Sequence, residues 1–153
     1  MDIGLRRITN EDIVIATMQE CWDEMCEDGS VMTSPDLLNE HWIGVTVNNS
    51  YAGFFRFASL TSVMAECHVC ILKPFRRYIK EMAIKTYEWL LESPIQKLSA
   101  NIPSFNKGAI KYAEKMGFSR QGENTDSYMK NGKLHSMIQM GINRKDMEDL
   151  CHQ

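Results

Sequence analysis

The stretch Phe105-Asn106-Lys107-Gly108-Ala109-Ile110-Lys111-Tyr112-Ala113-Glu114-Lys115-Met116-Gly117-Phe118 carries both the start and the stop signal of a short helix. Asn106 is an N-cap residue, whose side-chain oxygen can accept from a first-turn N–H. Phe105 before it and Ile110 four residues in are spaced as a hydrophobic staple. Gly117 supplies the left-handed residue on which helices end, and Phe118 opens an extended segment. Working backward, residues 97–102 read as a short strand. Before that, Ile79, Met82, Ala83, Tyr87, Leu90 and Leu91 form one helical stripe over about 76–92, closed by Ser93 and Pro94. A helix between two strands is a crossover, so the strands on either side of it should be parallel.

Outward from this unit the period is two. Ile43, Val45 and Val47 alternate up to Asn48-Asn49, residues 51–60 are rich in aromatic strand formers, and residues 64–72 form a fourth strand ended by Lys73-Pro74. Two further strands, about 118–129 and 134–142, flank Asn131-Gly132, a strong hairpin signal. At the other end, residues 5–8 form the first strand. Thr9 with Asp12 resembles a capping box, and Val14, Met18, Cys21, Trp22 and Met25 share a helical face until Asp28-Gly29-Ser30. Ser34-Pro35 signals a second short helix to about Glu40. Residues 143–153 read as a polar tail with one helical turn. The order β α α β β β α β α β β is an α+β chain.

The composition agrees with one folded unit: 153 residues, 44% hydrophobic and 24% charged. No apolar run is long enough to span a membrane. The net charge of −3 and the lack of aromatic platforms beside the basic residues, beyond Phe75 and Tyr78, disfavour nucleic acid. Charge is uneven, however: residues 1–42 hold ten acids against two arginines, and residues 43–153 ten acids against fifteen Lys and Arg. An acidic first third suits a cation and a basic remainder an anion. Five cysteines form no disulfide framework. The offset of three between Cys67 and Cys70 puts their side chains on opposite faces of a strand, which disfavours a metal or redox site.

The element order, with Asn106, Ala109, Tyr112, Glu114, Lys115, Gly117 and Phe118, resembles the GCN5-related N-acetyltransferase (GNAT) superfamily. The run from Glu66 and His68 to Arg76, with Glu88-Trp89-Leu90 downstream, is similar to GNAT-like proteins of bacteriophages. The resemblance implies a single domain over 1–143 followed by the tail 144–153. It implies a mixed sheet of about seven strands flanked by helices, with strands 4 and 5 parallel and splayed. It further implies acetyl-CoA as co-substrate, with pantetheine between those strands and pyrophosphate at the start of the following helix. There Leu72, Lys73, Arg76, Arg77 and Lys80, with Asn106, are the binding residues.

The family's Arg-x-x-Gly-x-Gly/Ala reads Arg76, Arg77, Tyr78, Ile79, Lys80, Glu81 here, so both glycines are replaced. On strand 4, Glu66, His68 and Cys70 share a face, and Glu66 or His68 could serve as base through water. The leaving thiolate's acid in many relatives is a tyrosine at the place of Ala113. Tyr112 is one residue earlier, and Tyr128 or a water are the alternatives. The activity implied is acetyl transfer from acetyl-CoA to a primary amine, borne by a small molecule or a basic protein segment, beside the acidic first helices and in the cytoplasm, the host's for a phage protein. A competing reading is a GNAT-fold phage protein without turnover, kept for interaction or assembly, which the missing glycines and eleven methionines suit. The oligomeric state stays open, a homodimer included.

Overall fold

Two asparagine turns set the register of the sheet. Asn48 and Asn49 have φ of 50° and 69°, and Asn131 and Gly132 have 53° and 74°. These are the paired left-handed conformations whose twist fits a two-residue hairpin. The computed structural model describes residues 1–153. Its elements in chain order are β1 (Ile3–Arg7), α1 (Glu11–Met25), β2 (His41–Val47), β3 (Ser50–Ser59) and β4 (Met64–Ile71), then a 3₁₀ turn (Lys73–Tyr78) and α2 (Ile79–Leu90). After these come β5 (Lys97–Pro103), α3 (Lys107–Lys115), β6 (Ser119–Lys130), β7 (Lys133–Asn143) and α4 (Arg144–Cys151). The seven strands form one sheet of order β1-β2-β3-β4-β5-β7-β6, in which β4 and β5 are the one parallel pair.

Alternation along the strands divides the apolar side chains between two layers. Phe54 joins Ile8, Val14, Cys21, Trp42 and Cys70 against α1, whereas Phe55, Phe57 and Cys67 enter the larger core with Met82, Ala83 and Tyr87 of α2. Cys67 and Cys70 therefore face opposite sides of the sheet, as their spacing requires. Tyr87 is fully buried and donates its hydroxyl to the Met116 carbonyl at 2.6 Å, which ties α2 to the end of α3 and leaves neither group unpaired. Gly53 lies where β3 and β4 approach most closely. Its φ is 141°, and a Cβ there would come within 2.8 Å of the Ile71 Cα.

Four local expectations need correction. Asn10, not Thr9, caps α1, accepting from the Asp12 N–H at 2.9 Å. The helix expected over 34–40 is a single turn. Asp36 accepts from the N–H groups of Leu38 and Asn39, its own carbonyl takes the Trp42 indole N–H, and β2 begins at His41, so no second turn can form. The long helix starts at Ile79 instead of 76. β4 remains paired as far as Leu72, whose N–H bonds the Ala52 carbonyl, and the chain reverses through the tighter 3₁₀ geometry. The tail is the helix α4, whose Met147 is buried at 1% exposure and whose Arg144 donates to the carbonyls of Leu91, Ser93 and Ile95.

Met147→Ala should cost about 2–5 kcal/mol in chemical denaturation, the range for emptying a buried methionine site. A solvated tail would show no such change.

Candidate functional site

Many of the candidate residues gather where the sheet comes apart. Met64, Ala65 and Glu66 pair with Lys97, Leu98 and Ser99, and there the parallel ladder stops. Beyond it, Cys67–Ile71 and Ala100–Pro103 keep their outer partners, β3 and β7, while their inner edges face each other across a cleft of about 450 Å³. Two strand edges with unpaired N–H and C=O groups line a mostly apolar trough, a place for an extended ligand that carries amides of its own.

One end of the cleft is roofed by the last turn of α1. The carbonyls of Asp23, Glu24, Met25 and Cys26 lie beyond the last one used within the helix, that of Trp22. Groups from across the cleft fill all four. Lys130 Nζ donates to the Asp23 and Cys26 carbonyls at 3.1 and 2.9 Å, the Tyr128 hydroxyl to Met25 at 3.3 Å, and Asn106 Nδ2 to Glu24 at 3.4 Å. The Lys130 ammonium also complements the negative end of the helix dipole. The following residues complete the strap. Glu27 accepts the Met129 N–H, and the Asp28 carboxylate accepts the N–H groups of Asn131 and Gly132 at 3.0 and 2.9 Å. Those backbone donors hold the Asp28 carboxyl below its usual range.

No family model matches the chain. The SPbeta prophage-derived uncharacterized N-acetyltransferase YokL of Bacillus subtilis (strain 168) is 24% identical over 166 residues, covering 96% of this chain and 93% of that protein. The spermidine N-acetyltransferase of Vibrio cholerae, solved with CoA and spermine, superposes with a TM-score of 0.78 at 13% identity, covering 95% of this chain and 98% of that one. An acetyltransferase of the GNAT family from Streptococcus pneumoniae superposes at 0.72 with 16% identity, over 93% and 99% of the two chains. This chain has the GNAT fold.

Within that fold, the structure brings together most of the residues singled out from sequence. Glu66 Oε1 and His68 Nε2 lie 2.6 Å apart, with Glu66 also 3.9 Å from Arg56, which pairs in turn with Glu40. His68 lines the GNAT cleft, as do Tyr112, Asn106 and Arg76. Asn106 is the N-cap of α3, accepting from the Ala109 N–H at 3.1 Å, so both ends of its amide are engaged. Leu72 and Lys73 lie with Arg76 around a smaller hollow beside the cleft. Lys80 is exposed, and so is Arg77, whose guanidinium stacks on Tyr78.

Arg76 is not free. Its Nε donates to the Ile71 carbonyl at 2.8 Å, and its two terminal nitrogens donate to the Glu24 carboxylate at 2.9 and 3.1 Å. Neither Glu24 nor Lys130 was marked by any sequence motif. Each works through a partner more than fifty residues away, and only the α1 cap and the Asn131-Gly132 hairpin hinted at where they sit. Burial pushes the Cys67 thiol up to about 12 and raises that of Cys70 further, so both stay protonated near neutrality and neither is a nucleophile. Burial likewise raises Tyr128, which keeps its proton for donation.

A lowered folded-state pKa for Asp28 means that its contribution to the strap is complete above the ordinary value of 3.8 and is lost as pH falls through the lower folded value. The amide NMR shifts of Asn131 and Gly132 should therefore titrate together with a midpoint below 3.8. That transition should vanish in Asp28→Ala. A midpoint at or above 3.8 would mean that the strap is not held by this carboxylate.

Proposed function

We propose that the protein is an N-acetyltransferase that moves the acetyl group of acetyl-CoA to a primary amine. The observation that carries this reading is the cleft left where β4 and β5 part after three rungs, with unpaired backbone on both sides. Its volume and mostly apolar lining suit a pantetheine arm, whose amides can bond the open strand edges and whose thioester then lies between β4 and β5. The diphosphate end falls at the turn into α2, where Lys73, Arg77 and Lys80 are exposed. The two replaced glycines are accommodated in part. Ile79 is 3% exposed and packs into the core, and Glu81 points to solvent, so side-chain cations carry more of the anion binding than backbone N–H groups do.

Attack on the thioester carbon needs a neutral amine and a group to take its proton. In the proposed reaction Glu66 accepts from His68 Nε2, which fixes the tautomer and leaves Nδ1 as the acceptor, directly or through water. The CoA thiolate that departs is protonated by Tyr128, Tyr112 or a water. Tyr128 keeps its proton by burial, whereas Tyr112 packs beneath the Lys115 ammonium. The amine acceptor finds fewer free acids than the sequence offers. Glu24, Glu27, Asp28, Asp36 and Glu40 are all hydrogen-bonded within the chain, and Glu20 and Asp23 remain exposed without a side-chain partner.

The test is a thermal-unfolding and calorimetric titration with acetyl-CoA, followed by thiol release in the presence of polyamines and lysine peptides. At one hundred times Kd, a ligand that binds only the folded state adds about 2.7 kcal/mol of apparent stability. His68→Gln should lower turnover by about 10²–10⁴-fold, the usual share of a general base, while acetyl-CoA affinity changes far less. No binding at millimolar acetyl-CoA would favour instead a GNAT-fold protein without turnover.

A further inference from the structure

Among the residues that line the main cleft, Arg76 is the one permanent cation and Glu24 the one carboxylate, and they are bonded to each other. The contact is a two-point fork: Nη1 to Oε2 at 2.9 Å and Nη2 to Oε1 at 3.1 Å. A guanidinium fork that holds one carboxylate in this way cannot offer the same two edges to a second anion. Paired in this way, the two charges of the cleft cancel. A ligand with an anionic end and a ligand with a cationic end would each need one of them released.

The surroundings allow one partner to move and hold the other. Arg76 is fixed from behind, its Nε on the Ile71 carbonyl and Nη2 near the Cys21 sulfur at 3.8 Å, and its side chain is 19% exposed. Glu24 is more open, at 44%, and sits at the rim shared by the main cleft and the adjoining hollow. Its backbone cannot drift, because Asn106, Tyr128 and Lys130 hold the carbonyls of Glu24 and of its neighbours. Rotation of the Glu24 side chain alone therefore separates the pair.

We propose that Glu24 is an exchangeable counter-ion. It neutralises Arg76 in the free protein, and it turns to the acceptor's ammonium when the diphosphate of the donor engages Arg76, so that donor binding prepares the acceptor site. This rests on the acetyltransferase reading above and adds to it a coupling between the two ligands. The coupling is reciprocal, since each ligand must raise the other's affinity by the same factor.

Calorimetry with CoA alone and spermidine as the amine probe tests this without turnover, on the unmutated chain, Glu24→Gln and Glu20→Gln. Glu20 lines the adjoining hollow and makes no hydrogen bond or ion pair with Arg76, so for CoA binding its variant reports the effect of net charge. Removing the competing carboxylate should tighten CoA binding by about two- to fivefold, the scale of a partly exposed ion pair, and Glu20→Gln should change it by less than twofold. In the unmutated chain, spermidine should bind more tightly with CoA present than without it, and Glu24→Gln should abolish that difference. The exchange is overturned if Glu24→Gln binds CoA no more tightly than the unmutated chain. It is equally overturned if Glu20→Gln matches it, or if the unmutated chain shows no coupling. Failure of every chain to bind CoA would remove the acetyltransferase reading and this inference together, whereas equal CoA affinity in all three removes only the exchange.

Discussion

The parting of β4 from β5 divides the sheet into two halves, each held by the ladder on its other side. β4 pairs with β3 from Ala65 to Ile71, and β5 pairs with β7 along its whole length, from Lys97 to Pro103. Each half-sheet twists about its own long ladder, and only the three rungs at Met64–Glu66 keep the two in register. The cleft lies where two well-paired half-sheets meet along a short parallel seam. Most residues given a part in the proposed reaction flank that seam, Glu66 and His68 on β4, Tyr112 beyond β5 and the cations at the turn that follows β4, whereas Tyr128 reaches the cleft from β6.

An open seam exposes backbone groups and unsettles whatever spans it, and the strap from α1 to the β6–β7 hairpin answers that problem. α1 carries no basic residue in its last turn, so its C-terminal carbonyls and dipole would face the cleft without a partner. Lys130, Tyr128 and Asn106 supply the missing donors from the other half-sheet, and Asp28 caps the hairpin turn in return. These bonds join the two halves above the cleft, where the sheet itself does not. In the acidic N-terminal third, Glu24 and Glu40 are neutralised by Arg76 and Arg56, so the field it casts on a cationic acceptor is weaker than the residue count suggests.

How much of this was legible in the sequence depended on how local each cause was. The hairpins at Asn48-Asn49 and Asn131-Gly132, the Asn106 cap, the Gly117 stop and the parallel crossover are all decided within a few residues, and all were readable. The opposite faces of Cys67 and Cys70 followed from the strand period alone. The misreadings arose where a distant group intervened. Ser34-Pro35 is a sound helix start, but Trp42 claims the Asp36 carbonyl and the sheet claims His41. The last residues read as polar because Met147, Leu150 and Cys151 are set among charges, and packing beside α2 is what turns them into an apolar face. In the site, residue types could be chosen by chemistry, but not their pairing. Nothing in the sequence around Arg76 or Glu24 indicates that they meet across fifty-two positions.

That pairing changes how the replaced glycines should be read. A glycine-rich helix start binds a diphosphate through backbone N–H groups, which are fixed in place and have no competitor. With Ile79 and Glu81 in those positions, anion binding in the proposed reaction shifts to side chains, and side chains can be occupied by something else. Lys73, Arg77 and Lys80 are exposed and screened by solvent, so each contributes little alone. Arg76 is the half-buried member, where a charge-assisted bond is stronger, and Glu24 already holds it. Loss of the glycines and capture of the arginine therefore act in the same direction. In the proposed reaction both make the strength of the anion site depend on where the Glu24 carboxylate is engaged, a dependence that a backbone cradle could not have.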